Sequence, residues 1–67
     1  MNTSPLRLRT AEAAKYTDRP EATLRWLRAT DKGPRSYKLG RTVFYDIADL
    51  DAWIAAEKAS TARGGVA

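Results

Sequence analysis

Apolar positions along this chain recur first at helical spacing, then in alternation, then at helical spacing again, and the switches mark the element boundaries. Residues 1–7 are polar and contain Pro5, which predicts a flexible N-terminal arm; Leu8 is the first residue placed to anchor in a core. Thr10 is a good N-cap and Glu12 is an acid in the first turn, so Ala11 to Tyr16 is predicted as a short alanine-rich helix. Its small residues Ala13 and Ala14 allow a second helix to approach closely. Thr17-Asp18-Arg19-Pro20 interrupts the pattern, and Asp18 followed by Glu21 has the form of a capping box with proline in a first turn. A second helix is therefore expected from Pro20 or Glu21 to about Ala29. On a wheel of about 100° per residue, Leu24 and Leu27 fall on one side with Thr23 beside them. Ala22, Arg25, Trp26 and Ala29 fall on the other side, and Arg28 lies on the boundary. Asp31-Lys32-Gly33-Pro34 ends the helix.

Tyr37-Lys38-Leu39 and Val43-Phe44-Tyr45 are β-prone runs joined around Gly40-Arg41, the signature of a hairpin with a type II′ turn and Arg41 at its tip. Asp46 is placed to cap a third helix, with Asp49 and Asp51 in or near its first turn. Ile47, Leu50, Trp53 and Ile54 repeat at helical spacing and predict one apolar stripe. That helix is expected to fade near Lys58, leaving 59–67, which contains Gly64-Gly65, as a disordered tail. The domain proper is thus 8–58. The fold class is α+β and mostly helical: three helices plus a two-stranded hairpin.

Composition narrows what such a domain can do. At 67 residues it is one domain, and a chain of this size buries only about 60% of its unfolded surface. With no cysteine and no histidine, disulfides are excluded and a zinc site is improbable. Nothing approaches the roughly 20 apolar residues of a membrane span. The first residues lack the charged and apolar regions of a secretion signal, so a cytoplasmic protein is expected. Of the 12 basic and 8 acidic residues, ten basic and four acidic precede Asp46, whereas two basic and four acidic follow from it onward. The basic share concentrates at Arg19, Arg25, Arg28, Lys32, Arg35, Lys38 and Arg41. Charge alone fits a polyanionic partner and a solvated basic face equally well. Catalysis has little to stand on: there is no histidine, no cysteine and no glycine-rich phosphate loop, and helix capping explains Asp46, Asp49 and Asp51. No enzyme and no cofactor are expected.

The order helix, sharp turn, helix, hairpin, helix decides between the two readings of the charge. Two short helices joined by a tight turn can set the second in the major groove of DNA, whose width admits one α-helix. The hairpin then falls beside the groove with a basic tip. The basic residues occupy those surfaces and the acidic ones the last helix, so double-stranded DNA is the expected partner.

The same stretches resemble a family. Leu8-Arg9-Thr10-Ala11-Glu12-Ala13-Ala14-Lys15-Tyr16 is similar to the opening helix of excisionase-type and MerR-type winged helix-turn-helix domains. Ala22-Thr23-Leu24-Arg25-Trp26-Leu27-Arg28 is similar to their recognition helix. Gly33-Pro34 followed by Lys38-Leu39-Gly40-Arg41-Thr42-Val43-Phe44-Tyr45 is similar to their wing, and Asp49-Leu50-Asp51-Ala52-Trp53-Ile54 to their closing helix. The resemblance covers roughly residues 8–54 and implies DNA binding through recognition helix and wing. The chain departs from it at Thr17, Arg19 and Pro20, where the family carries an aliphatic residue, a small aliphatic residue and a serine, and at Trp26, a place often held by arginine or tyrosine.

The DNA-contact set expected from these readings is Arg19, Ala22, Thr23, Arg25, Trp26, Arg28, Lys38 and Arg41. Arg25 heads it, reading a guanine or gripping a phosphate. Trp26 faces DNA or a partner in one reading and folds over the core in the other, whereas Trp53 is expected in the core with Leu50 and Ile54. Glu21 is read as an N-terminal helix acid in preference to an acceptor from cytosine, and Tyr37 and Tyr45 as hairpin packing. A ligand-sensing regulator would need an extra domain or a long dimerising helix, for which no room is seen after helix three. The resemblance to the excisionase branch of the family then implies the expected role, that of a phage excisionase: binding cooperatively, bending DNA at an attachment site and directing a site-specific integrase towards excision. Neighbouring copies would associate head to tail, the basic hairpin of one against the Asp49, Asp51 and Glu57 side of the next. The alternative is a small transcriptional regulator binding promoter DNA.

Overall fold

The computed structural model describes residues 6–64. In chain order it contains β1 (Arg7–Arg9), α1 (Thr10–Thr17), α2 (Glu21–Ala29), β2 (Tyr37–Leu39), β3 (Thr42–Asp46) and α3 (Ile47–Thr61). The strands form one antiparallel sheet in the order β1-β3-β2. This is the mostly helical α+β architecture expected, with one strand more than the hairpin.

The added strand pairs Arg7 with Asp46, Leu8 with Tyr45 and Arg9 with Phe44. Because successive side chains alternate faces, Leu8, Tyr45 and Val43 point inward. Arg7, Arg9, Phe44 and Tyr37 occupy the outer face, where the Arg7 guanidinium lies 5.1 Å from the Phe44 ring centre and Tyr37 stacks on Phe44 at 6.2 Å. Regular structure among the described residues therefore begins at Arg7, inside the expected arm 1–7; Leu6 before it is exposed, and residues 1–5 lie outside the described residues. Tripeptide Arg7-Leu8-Arg9 holds a strand only because β3 is already there to pair with it.

The core is small and contains no polar or charged residue among those described. Leu8, Ala13, Ala14, Leu24, Tyr45 and Leu50 make it up, with Leu27, Val43 and Ile47 packed against it. Leu24 and Tyr45 are each 1% exposed. Trp53, expected in the core, is only half-buried and Ile54 is exposed, so the apolar stripe of α3 is not fully used by the core. The reason is geometric: the sheet and α1 cover only the first turns of α3, and Leu50 takes the deep position. α3 also runs on to Thr61, past Lys58, through an alanine-rich stretch of high helix propensity, with Thr61 Oγ1 donating to the Glu57 carbonyl at 2.7 Å. Of the expected tail, 59–61 are thus helical, Ala62 to Gly64 have no regular structure and 65–67 lie outside the described residues.

Two expected caps are corrected, and a third holds by position but not by its side chain. Arg9, not Thr10, takes the N-cap position of α1, because the last extended residue of β1 is also the last before the helix; its N–H donates to Glu12 Oε1 at 3.0 Å. Asp18 does not start α2. It ends α1 in the left-handed conformation (φ 58), which aspartate tolerates, while the Arg19 N–H donates to the Ala14 carbonyl at 3.0 Å. Pro20 precedes α2, its carbonyl accepting from the N–H groups of Thr23 and Leu24. Asp46 does hold the N-cap position of α3, but its carboxylate accepts from the Tyr37 hydroxyl at 2.8 Å instead of from the helix. The hairpin turn agrees with expectation: Leu39 faces Thr42 across Gly40-Arg41, and Gly40 has φ 63 while Arg41 has negative φ, the pattern of type II′.

A second phenol clamp joins α1 to α3, Tyr16 donating to Asp51 Oδ1 at 2.5 Å. Each clamp raises its phenol pKa: the hydrogen bond to Asp51 for Tyr16, and the hydrogen bond to Asp46, partly offset by Arg7, for Tyr37. Burial raises that of Tyr45.

Two expected outcomes follow from this packing. Leu24→Ala should cost about 2–4 kcal/mol through the cavity left under α2, read by chemical denaturation; a loss near zero would mean that Leu24 is not seated in the core. Folded-state phenol pKa values above the unfolded value of about 10 mean that the clamps stabilise the fold fully below that pH and lose their contribution as pH rises through the folded-state values. Melting temperature should therefore decline in base, and less steeply in a Tyr16→Phe/Tyr37→Phe double variant. An undiminished decline would show that these two phenols are not its source.

Candidate nucleic-acid interface

The outward face of α2 is built by the residues that turn its inward face to the core. With Leu24 buried and Leu27 half-buried, Ala22, Arg25, Trp26 and Ala29 stand on the solvent side as the wheel predicts, with Arg28 also exposed. Trp26 is 58% exposed, which rules out the reading in which it folds over the core. Lys32 approaches its indole, Nζ 5.9 Å from the ring centre, a cation–π contact that helps hold an otherwise free aromatic. Arg25 forms an ion pair with Glu21 one turn earlier, 3.2 Å apart and largely solvated. Such pairs contribute about 0–1 kcal/mol, so Arg25 is held loosely and can exchange the carboxylate for another anion.

The remaining expected contacts are spread around that face. Arg19 is exposed in the turn before α2, with only its backbone engaged. Thr23 is half-buried and is the least accessible of the eight. Arg28 is exposed and directed, its Nε donating to Ser36 Oγ at 3.0 Å and so bridging α2 to the segment before β2. Lys38 is exposed opposite Val43, on the inner-face side of the hairpin, and Arg41 is exposed at the turn. Helix, inter-helix turn and hairpin tip each contribute cations, and no acidic residue but Glu21 stands on the outward face of α2. Among the described residues no group of acidic, histidine or cysteine side chains could hold a metal ion, and no helix is long and apolar enough to cross a membrane.

Two short helices set at a three-residue turn, followed by a hairpin and a closing helix, agree with one further finding. The sequence profile of the helix-turn-helix domain family matches residues 7–58, most of the chain. The chain belongs to this helix-turn-helix family. The match begins at Arg7 and so includes β1. DNA is accordingly the ligand class of this helix-turn-helix domain, and α2 is its second helix. No curated protein matches the sequence of the helix-turn-helix domain.

Reading the sequence as separate elements passes over Lys32, Arg35 and Ser36 as site residues. They follow α2 in a loop whose path is set by left-handed residues Asp31 (φ 60) and Gly33 (φ 78); the Asp-Lys-Gly-Pro run signals a turn but not where the turn puts the next cations.

Because Glu21 partners Arg25 on the exposed face, Glu21→Gln should tighten DNA binding several-fold at low salt while changing stability by less than about 0.5 kcal/mol. Fluorescence anisotropy against a short duplex and a thermal melt check both. Weaker binding by this variant would mean that Glu21 positions Arg25 or itself accepts from a base.

Proposed function

We propose that this helix-turn-helix domain inserts α2 into the major groove of double-stranded DNA, lays the hairpin along the flanking backbone, and serves as an excisionase-type accessory factor. In this reading several copies load side by side near an attachment site, bend it, and direct a site-specific integrase towards excision in the cytoplasm or nucleoid of a bacterial host. The single observation that carries the DNA-binding mode is the division of α2, with Leu24 sealed in the core and Arg25 and Trp26 left in solvent on the same two turns. Exposed Trp26 lies outside the core with Lys32 against its ring, and an indole beside cations suits a sugar–phosphate surface.

The cooperative part of the proposal rests on charge polarity. The α2 and hairpin side is basic, while Asp49, Asp51 and Glu57 lie on α3. Asp51 is partly occupied by Tyr16, which leaves exposed Glu57 and half-exposed Asp49 as the freer acceptors for the hairpin of a neighbouring copy. Head-to-tail contact of this kind is open and builds a row along DNA. Each copy alone offers DNA the small interface of a single module, about 600–1,000 Å², so contacts between copies would add what one module lacks.

If Arg25, Arg28, Lys38 and Arg41 each neutralise one phosphate, log K should fall against log salt with a slope of roughly −3.6. Arg25→Ala should weaken binding with an unchanged melting temperature. A slope near zero would overturn the DNA-binding mode. A footprint over the DNA flanking an integrase gene tests the finer role: adjacent cooperative sites there support it, and protection confined to a promoter replaces it with transcriptional regulation.

A further inference from the structure

The segment after α2 folds back on the helix and is locked there. The Asp31 N–H donates to the Arg28 carbonyl at 3.1 Å and the Lys32 N–H to the Leu27 carbonyl at 2.7 Å. Gly33, at φ 78, lies so close to α2 that an added Cβ would sit 2.8 Å from Leu27 Cβ, so only glycine permits this approach. Pro34, buried, fixes the chain on its far side. The result is an open hollow of about 490 Å³ bordered by Arg28, Lys32 and Arg35, with Ser36 in its wall.

Three cations around one hollow need an explanation. The C-terminal end of α2 accounts for Arg28, since a helix terminus of that polarity favours a positive charge, but not for Lys32 or Arg35 on the loop. Asp31 also borders the hollow, yet among the described residues the one ion pair is Arg25–Glu21, so Asp31 pairs with none of the three and leaves a net positive charge around the hollow. The guanidinium of Arg28 is aimed by Ser36 through Nε, which leaves its terminal N–H groups without a partner among the described residues. That is the arrangement suited to a tetrahedral anion: a directed guanidinium, an ammonium and a second guanidinium on a loop of fixed path, with a hydroxyl beside them.

The geometry points to a phosphate cradle formed by Arg28, Lys32 and Arg35, which takes a phosphodiester of the DNA backbone beside the C-terminal end of α2. This rests on the reading that α2 enters the major groove, and deepens it by naming the residues that fix how far along the groove the helix sits. Lys32 serves twice, since its ammonium also lies against Trp26, so the cradle and the outward face of α2 form one continuous surface. Base contacts specify sequence and phosphate contacts set register; a clamp on a locked loop next to the recognition helix is a register device.

The test uses the full chain and two probes. In the first, a short mixed-sequence duplex is titrated at several salt concentrations with the wild type, a Lys32→Ala/Arg35→Ala variant and a Lys32→Arg/Arg35→Lys variant, all checked for an unchanged circular dichroism spectrum and melting temperature. The alanine pair should weaken binding on the order of tenfold and make the log–log salt slope shallower by about one, and the charge-retaining pair should recover most of both. In the second, inorganic pyrophosphate is titrated while the amide resonances of Gly33, Arg35 and Ser36 are followed; saturable shifts in the wild type that vanish in the alanine pair support the cradle without DNA. Wild-type DNA binding with full affinity and slope in the alanine pair would overturn the cradle and leave the DNA reading standing. Pyrophosphate shifts with no DNA binding by the wild type would overturn the groove reading and the backbone assignment together, giving the hollow to a free phosphate. No pyrophosphate shifts and no change in DNA binding would remove the site altogether.

Discussion

The rotation of α2 about its own axis depends on the contact between Leu24 and the paired alanines of α1. Ala13 and Ala14 have no bulk beyond Cβ, so α1 and α2 can pack closely, and Leu24 is buried in the same core cluster as both alanines and Leu50. In a core of so few side chains no other residue of α2 could substitute: Leu27 is only half-buried and Thr23 carries a hydroxyl. Once Leu24 is seated, periodicity alone puts Arg25 and Trp26 in solvent and brings Leu27 under the returning loop, where Gly33 meets it. Functional face and loop path are both consequences of a packing contact between uncharged residues on the opposite side of the helix.

That chain of dependence explains which parts of the fold were legible in the sequence. α2 and its two faces, the Gly40-Arg41 turn and the existence of α3 rest on local periodicity or local turn chemistry, and a sequence states these directly. β1 is the opposite case. Arg7-Leu8-Arg9 shows one apolar residue, and its extension follows from pairing with a strand more than thirty residues away. Asp18 and Asp46 misled for a related reason: an aspartate before a helix is ordinarily its cap, but Asp18 was already consumed in ending α1 and Asp46 in holding Tyr37. On the candidate interface the helix-borne cations were readable from a wheel. Lys32 and Arg35 were not, because left-handed Asp31 turns the chain before Lys32 and left-handed Gly33 turns it again before Arg35, and the wheel ends at Ala29.

The tyrosines show how a small apolar core is extended by polar ties. Tyr45 spends its ring on the core itself, while Tyr16 and Tyr37 bind the carboxylates of α3 and of the end of β3 from outside. The Tyr16–Asp51 tie joins elements distant in sequence and constrains α1 against α3, while the Tyr37–Asp46 tie closes the hairpin on itself, and neither adds to the core. The same ties take acceptors out of circulation. Asp46 and Asp51 are counted as negative charge in any reading of the sequence, yet one oxygen of each already accepts from a phenol, and the acidic side of the molecule is chemically narrower than its charge suggests.

Binding by so small a surface depends on how little must be ordered when the ligand arrives. Long basic side chains lose rotamer freedom on contact, at about 0.5–1.5 kcal/mol for each one immobilised. Arg28 is already directed by Ser36, Trp26 is approached by Lys32, and the loop carrying Lys32 and Arg35 is fixed by backbone hydrogen bonds and by Gly33 against Leu27. Arg25 alone on the outward face is tied to a carboxylate it must release. The molecule therefore divides its cations into a pre-positioned group at the C-terminal end of α2 and a loosely held one in the middle of the helix. A fixed group suits a ligand whose geometry repeats regularly, as a phosphate backbone does, and a movable one suits contacts that differ from one site to the next. In the proposed groove mode, this division would let the end of α2 set the register of the helix on any duplex and the centre of α2 distinguish among duplexes once that register is set.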